Sequence, residues 1–178
     1  LGFNAGKFND DGSNNTYVGN SAGLGVSGEG HSNNTAVGTN ALLAETMGNS
    51  TVAIGEGAGY SQVSDSTNET TGNTIMGTIA GYYNVTGKNN TYIGNQSGLG
   101  ASGQSNSYNT SVGAESMKVI TDGQANVAVG YSSMKAETGG GDNVAIGQKT
   151  LLALTNSTRN TVVGASAMRL MDDTADGL

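Results

Sequence analysis

The chain has 178 residues, of which 30 are glycine and 21 asparagine, with no Pro, Cys or Trp and with charged residues at only 12%. So much glycine beside so few large apolar side chains cannot fill a thick globular core, and the lack of cysteine removes disulfides and thiolate metal sites. A net charge of -7 and an isoelectric point near 4.4 leave no basic stripe for phosphate, which excludes nucleic acid as a partner and disfavours anionic lipid. No apolar run approaches the ~18 residues of a membrane-spanning helix, so no membrane insertion is expected. Disorder is the other state such a composition invites, but the apolar residues recur at fixed positions. A thin core stacked along an axis accommodates both facts.

In chain order, the first element is a truncated copy at Gly2, followed by Phe3-Asn4-Ala5. The unit then returns as Asn15-Thr-Tyr-Val-Gly19, Asn34-Thr-Ala-Val-Gly38 and, without the leading Asn, Thr51-Val-Ala-Ile-Gly55. Asn73-Thr-Ile-Met-Gly77, Asn90-Thr-Tyr-Ile-Gly94 and Asn109-Thr-Ser-Val-Gly113 follow. Asn126-Val-Ala-Val-Gly130, Asn143-Val-Ala-Ile-Gly147 and Asn160-Thr-Val-Val-Gly164 complete the series. The glycines are spaced by 17, 19, 17, 22, 17, 19, 17, 17 and 17 residues, a dominant period of 17 with small insertions. A longer period of 75 lies above it, and residues 13–28 match residues 88–103 at 11 of 16 positions. The expected organisation is one solenoid over 1–178: a four-coil block at 1–75, its duplicate with one further coil at 76–150, and final coils at 151–178. The pattern is already running at Leu1, which reads as a segment of something longer.

Each position has a physical job. The residue before the glycine is always aliphatic (Val18, Val37, Ile54, Met76, Ile93, Val112, Val129, Ile146, Val163), and Thr or Val stands two places earlier. This period-2 alternation predicts a short strand with those two residues inward and the variable residue between them outward. The glycine permits a bend or a close backbone approach. Three residues later comes a small side chain, then either Gly or a long apolar residue (Leu42, Met117, Met134, Leu151, Met168), which predicts a second inward strand. The repeated Asn would stack as a hydrogen-bonded ladder. At about 4.8 Å per strand, nine intervals would extend roughly 43 Å. Seventeen residues cannot supply a pair of helices, although Ala41–Met47 and Thr150–Leu154 could each add one helical turn.

At these residues the sequence resembles the head repeats of trimeric autotransporter adhesins of the YadA type, which read N-S-V-A-I-G-x-x-S. Asn126-Val-Ala-Val-Gly-Tyr-Ser-Ser133 and Asn143-Val-Ala-Ile-Gly147 carry the likeness. Asn33-Asn-Thr-Ala-Val-Gly-Thr-Asn-Ala-Leu42 is also similar to repeats of phage tail fibres, whose longer coils lie nearer to these. The resemblance implies a left-handed parallel β-roll, three of which associate about one axis. It also implies a cell or virion surface location and attachment to a host-surface glycan or protein receptor. Side chains such as Leu42 and Met117 would need cover that a thin roll lacks, a separate argument for trimerisation.

Other motifs read as structural. Gly23-Leu-Gly-Val-Ser-Gly28 and Gly98-Leu-Gly-Ala-Ser-Gly103 match G-x-G-x-x-G, but at equivalent repeat positions and with no crossover helix. His31, the one histidine, stands in a Gly/Ser/Asn loop without a second ligand and reads as a solvated side chain. No base recurs beside a serine, so no nucleophile is nominated. Gly139–Asp142 and Asp172–Asp176 lack the spacing of calcium loops. The N-x-S/T triplets fall out of the repeat. Tyr17 and Tyr92 at the outward strand position, with Tyr131 near a turn, are the candidate receptor contacts.

The expected function is a non-enzymatic, extracellular, structural and adhesive fibre without catalytic residues, cofactor or metal. One alternative is an ice-binding solenoid, since Thr16, Thr35, Thr74, Thr91, Thr110 and Thr161 recur in register. Their shared parity with the aliphatic position, expected to point inward, counts against it. The other is the non-catalytic part of a tailspike, because the 14 acids are spread along the chain rather than paired in a cleft.

Overall fold

The computed structural model describes residues 2–45, 48–64, 69–136, 138–153 and 155–169. Nine three-residue strands form where β-branched residues precede the repeat glycine. They are β1 (Thr16–Val18), β2 (Thr35–Val37), β3 (Val52–Ile54), β4 (Thr74–Met76), β5 (Thr91–Ile93), β6 (Thr110–Val112), β7 (Val127–Val129), β8 (Val144–Ile146) and β9 (Thr161–Val163). They pair in sequence order as one parallel sheet, and the register sets each repeat position beside its equivalent, as Thr16 beside Thr35 and Val18 beside Val37. This is the all-β solenoid that the 17-residue period predicts. The copy at Gly2 supplies a turn and no strand. Residues 41–45 and 150–153 fold as turns and bridges rather than helix. Met47, Leu154 and the acidic run Asp172–Asp176 lie outside the described residues.

Two columns fix the stacking of coils. At the repeat glycines the backbone adopts φ near +130°, and a Cβ on Gly38 would lie 2.6 Å from the Gly55 carbonyl oxygen. The same clash, with the next coil's glycine, recurs at Gly19, Gly55, Gly77, Gly94, Gly113, Gly130 and Gly147. Backbone therefore touches backbone there, and only glycine fits. The second column is asparagine. The Oδ1 atoms of Asn15, Asn34, Asn73, Asn90, Asn109, Asn126 and Asn143 each accept the backbone N–H at the equivalent place in the next coil, at 2.8–3.0 Å. The amide nitrogens of Asn34, Asn73, Asn109 and Asn126 donate to the carbonyls of Gly48, Gly87, Gly123 and Gly140, closing each turn. Thr51 interrupts the ladder, and its hydroxyl bonds instead to the Thr71 hydroxyl, which also donates to the Asn49 carbonyl.

After the glycine, the structure departs from the expected second strand. The second and fourth residues after it both take left-handed φ, as in Gln96 (57°) with Gly98 (56°) and Glu115 (57°) with Met117 (48°). Alternating handedness makes a turn, not a strand. It still bonds coil to coil: the Gly98 N–H donates to the Ser116 carbonyl, and the Met117 N–H to the Ser133 carbonyl. An L residue in that conformation costs about 1 kcal/mol or more, so Leu42, Met117, Met134 and Leu151 hold it against strain by packing inward.

The core corrects the expected strand parity. The middle strand residues Ala36, Ala53, Ile75, Tyr92, Ser111, Ala128, Ala145 and Val162 are buried, whereas the flanking Thr/Val and Val/Ile/Met residues face outward. The physical reason is the width of the coil. Its interior admits about one large side chain per turn, supplied either by the middle strand position or by the switchable position six residues on. Tyr17, Ile75 and Tyr92 are matched by Gly23, Gly81 and Gly98; Ala36, Ser111, Ala128 and Ala145 by Leu42, Met117, Met134 and Leu151. Where both are small, at Ala53 and Gly59, Leu42 and Ile75 reach in from the neighbouring coils. Ser97 and Ser111, though buried, bond to each other at 2.8 Å.

Candidate functional site

Chemistry for a site has to come from what the solenoid leaves in water. The outward side of the nine-stranded sheet carries two parallel columns. One is Thr16, Thr35, Val52, Thr74, Thr91, Thr110, Val127, Val144 and Thr161; the other is Val18, Val37, Ile54, Met76, Ile93, Val112, Val129, Ile146 and Val163. In the second column Val18, Met76, Ile93, Ile146 and Val163 are 37–67% exposed. At ~4.8 Å per strand and ~3.3 Å per residue the face spans about 400 Å², within the range of the largest apolar patch on a typical monomer. No charged residue stands in either column. The arrangement is a flat aliphatic and hydroxyl surface suited to burial against another surface.

The strand residues Val18, Val37, Ile54 and Ile93, expected to fill the core, thus belong to this exposed face. The repeat asparagines form a column of hydrogen bonds between coils and the repeat glycines a column of close backbone contacts. Of the candidate receptor contacts, Tyr92 is fully buried, with its hydroxyl donating to Asn106 Oδ1. Tyr17 also points inward, with its hydroxyl 2.7 Å from His31 Nδ1. Burial pushes both phenols well above the usual tyrosine range. Neither offers a face to a receptor. Tyr131 alone of the three is exposed. His31, expected in solvent, is completely buried.

One surface cluster brings together tyrosines that the sequence places only near turns. Tyr60 and Tyr82 occupy the same repeat position on adjacent coils and stack with centroids 4.5 Å apart and planes 10° apart. Tyr83 meets Tyr82 edge-on at 4.8 Å. Two coils later that position becomes ionic, where Lys118 and Lys135 pair with Glu115 at 3.4 and 2.7 Å. The hydrogen bond from Lys135 holds the Glu115 carboxyl below its ordinary range. The recurrence of Tyr five residues after Gly55 and Gly77 was the available signal.

Among the described residues no helix is long and apolar enough to cross a membrane. No protein-family model, curated protein or solved structure matches the chain.

Proposed function

We propose that the chain is a structural and adhesive segment of a surface fibre. Three copies pack through the outward Thr/Val and Val/Ile/Met columns, and the fibre, borne on a virion as a tail fibre or on a bacterial cell as an adhesin head, attaches it to a host surface. The observation that supports this reading is the uncharged aliphatic face running unbroken across nine coils. Removing the apolar part of that face, about 200 Å², from water is worth about 5 kcal/mol per protomer before the cost of association is subtracted. The resemblance of Asn126–Ser133 and Asn143–Gly147 to adhesin and tail-fibre repeats points the same way. Receptor contact, to a glycan or a protein, then falls to aromatic groups beside the turns: Tyr131 and the Tyr60–Tyr82–Tyr83 stack. Sedimentation equilibrium tests the assembly. The wild-type chain should run as a trimer, and Ile93→Asp with Ile146→Asp should dissociate it without loss of far-UV signal. A folded wild-type monomer at micromolar concentration would sink the reading.

The orientation of the strands also favours a second reading. The Thr column faces solvent rather than the core, so the objection to ice binding drawn from parity no longer holds. Both uses need the same face, and they exclude each other. Thermal hysteresis from a monomeric chain would select ice binding; its absence from a trimer selects the fibre.

A further inference from the structure

The 75-residue duplication sets two buried sites side by side for comparison. His31 in the first block corresponds to Asn106 in the second, Tyr17 to Tyr92, and Asn9 to Asn84. Their hydrogen bonds correspond as well. The His31 N–H donates to Asn9 Oδ1 at 3.0 Å, and the Asn106 N–H to Asn84 Oδ1 at 3.2 Å. The His31 carbonyl accepts from Asn15 Nδ2, and the Asn106 carbonyl from Asn90 Nδ2. The tyrosine hydroxyl meets His31 Nδ1 in one block and Asn106 Oδ1 in the other. One difference remains. Asn106 Nδ2 donates to the Thr121 carbonyl, whereas His31 Nε2, equally buried, has no hydrogen-bond partner among the described residues.

We propose that His31 is an acid-sensitive latch confined to the N-terminal block: its protonation releases the loop 25–34 from the stack, while the equivalent loop 100–109, closed by Asn106, stays in place. An imidazolium carries an N–H on both nitrogens. The Tyr17 oxygen can accept one of them. The other would sit against Gly25, where an added Cβ would already lie 2.8 Å from Nε2. A buried cation whose Nε2 N–H lacks a hydrogen-bond partner among the described residues is expensive, and the loop can lower that cost by opening to water.

The ionisable groups around the imidazole come from three coils. Tyr17 shares its coil, and Glu29 precedes it in the loop. Asp10 and Asp11 belong to the preceding coil, where Asp10 Oδ2 accepts the Gly28 N–H at 2.8 Å and Asp11 lies against Gly30. Glu45, fully buried, belongs to the following coil, and its Oε1 accepts the Gly48 N–H at 2.8 Å. In the duplicate, Ile120 replaces Glu45. The net balance at the imidazole is set by burial, which holds its pKa down at about 4 from an ordinary 6.5. The open loop therefore takes up a proton that the closed loop does not. Closure is at full strength above the ordinary histidine range and weakens as the pH falls, by roughly 100-fold in the opening equilibrium between pH 7 and pH 4.

Amide hydrogen exchange on the whole chain, corrected for intrinsic rates, tests this between pH 7 and pH 4. Loop 25–34 should lose protection on acidification in the wild type, and loop 100–109 should not. His31→Asn, which installs the duplicate's residue, should abolish the difference. Because the histidine is unique, its C2 proton can be followed alone by NMR in the wild type, whatever the variant does. It should titrate near 4 rather than 6.5. Equal loosening of both loops, loosening that persists in His31→Asn, or an imidazole titrating near 6.5 would overturn the proposal.

Discussion

If one slot per coil holds one large side chain, then the two positions that can fill it must be coupled. Tyr92→Ser with Gly98→Met would convert this coil to the solution used by Ser111 and Met117. Alone, Tyr92→Ser empties a fully buried ring site and strands Asn106 Oδ1, a loss of about 3–5 kcal/mol. Alone, Gly98→Met sets a Cβ 2.6 Å from Tyr92 Cγ, and overpacking with left-handed strain costs about 2–4 kcal/mol. Independent effects would sum to about 5–9 kcal/mol. The double variant should instead lose only about 1–3 kcal/mol, the residue of strain and the unpaired amide, giving a coupling of about 5 kcal/mol. Urea unfolding of the four proteins, followed by circular dichroism and by exchange to check that coils unfold together, measures it. Additivity within about 0.5 kcal/mol would refute the shared slot.

Two further pairs of substitutions probe the columns. Gly38→Ala drives a Cβ into the Gly55 carbonyl and should cost more than about 3 kcal/mol. Gly28→Ala, at φ 86° with nothing within 4 Å, should cost about 1 kcal/mol from backbone strain alone; both are read from urea midpoints. Asn109→Ala removes the acceptor for the Asn126 N–H and the donor to the Gly123 carbonyl. It should destabilise by about 2–4 kcal/mol and raise amide exchange at both neighbouring coils, whereas exposed Asn14→Ala, at φ 59°, should cost only about 1 kcal/mol, from left-handed strain.

The expected second strand is a turn, but the period, the first strand of each coil, the glycine column and the asparagine ladder were readable from spacing, because each is a local chemical need repeated in register. Parity was not. Val18, Ile93 and their equivalents are the most hydrophobic strand residues, and a chain considered alone should bury them; here they face outward. What would have resolved it was the inverse size relation between Tyr92 and Gly98, and between Ser111 and Met117, since residues that trade volume must share a cavity. The burial of His31 was hidden for a different reason. Its loop composition reads as solvent-exposed, and only the 75-residue offset aligning it with Asn106 and Tyr17 with Tyr92 marks it as an interior position.

The two columns also divide the labour between pitch and display. The coils are indexed to one another at the repeat Gly, and at Asn everywhere but Thr51, so the strands keep one register whether 17, 19 or 22 residues separate the glycines. The 19-residue coils accommodate their two extra residues in the segments leading to His31 and Asn106: Asn15 and Asn90 bond to carbonyls 16 residues on, where Asn34 and Asn109 bond 14 residues on. Gly28 and Gly103 stand at the free edge of those segments with open space around them. Length added there leaves the ruler unchanged, so sequence can diversify along one edge of the rod while the rod keeps its measure.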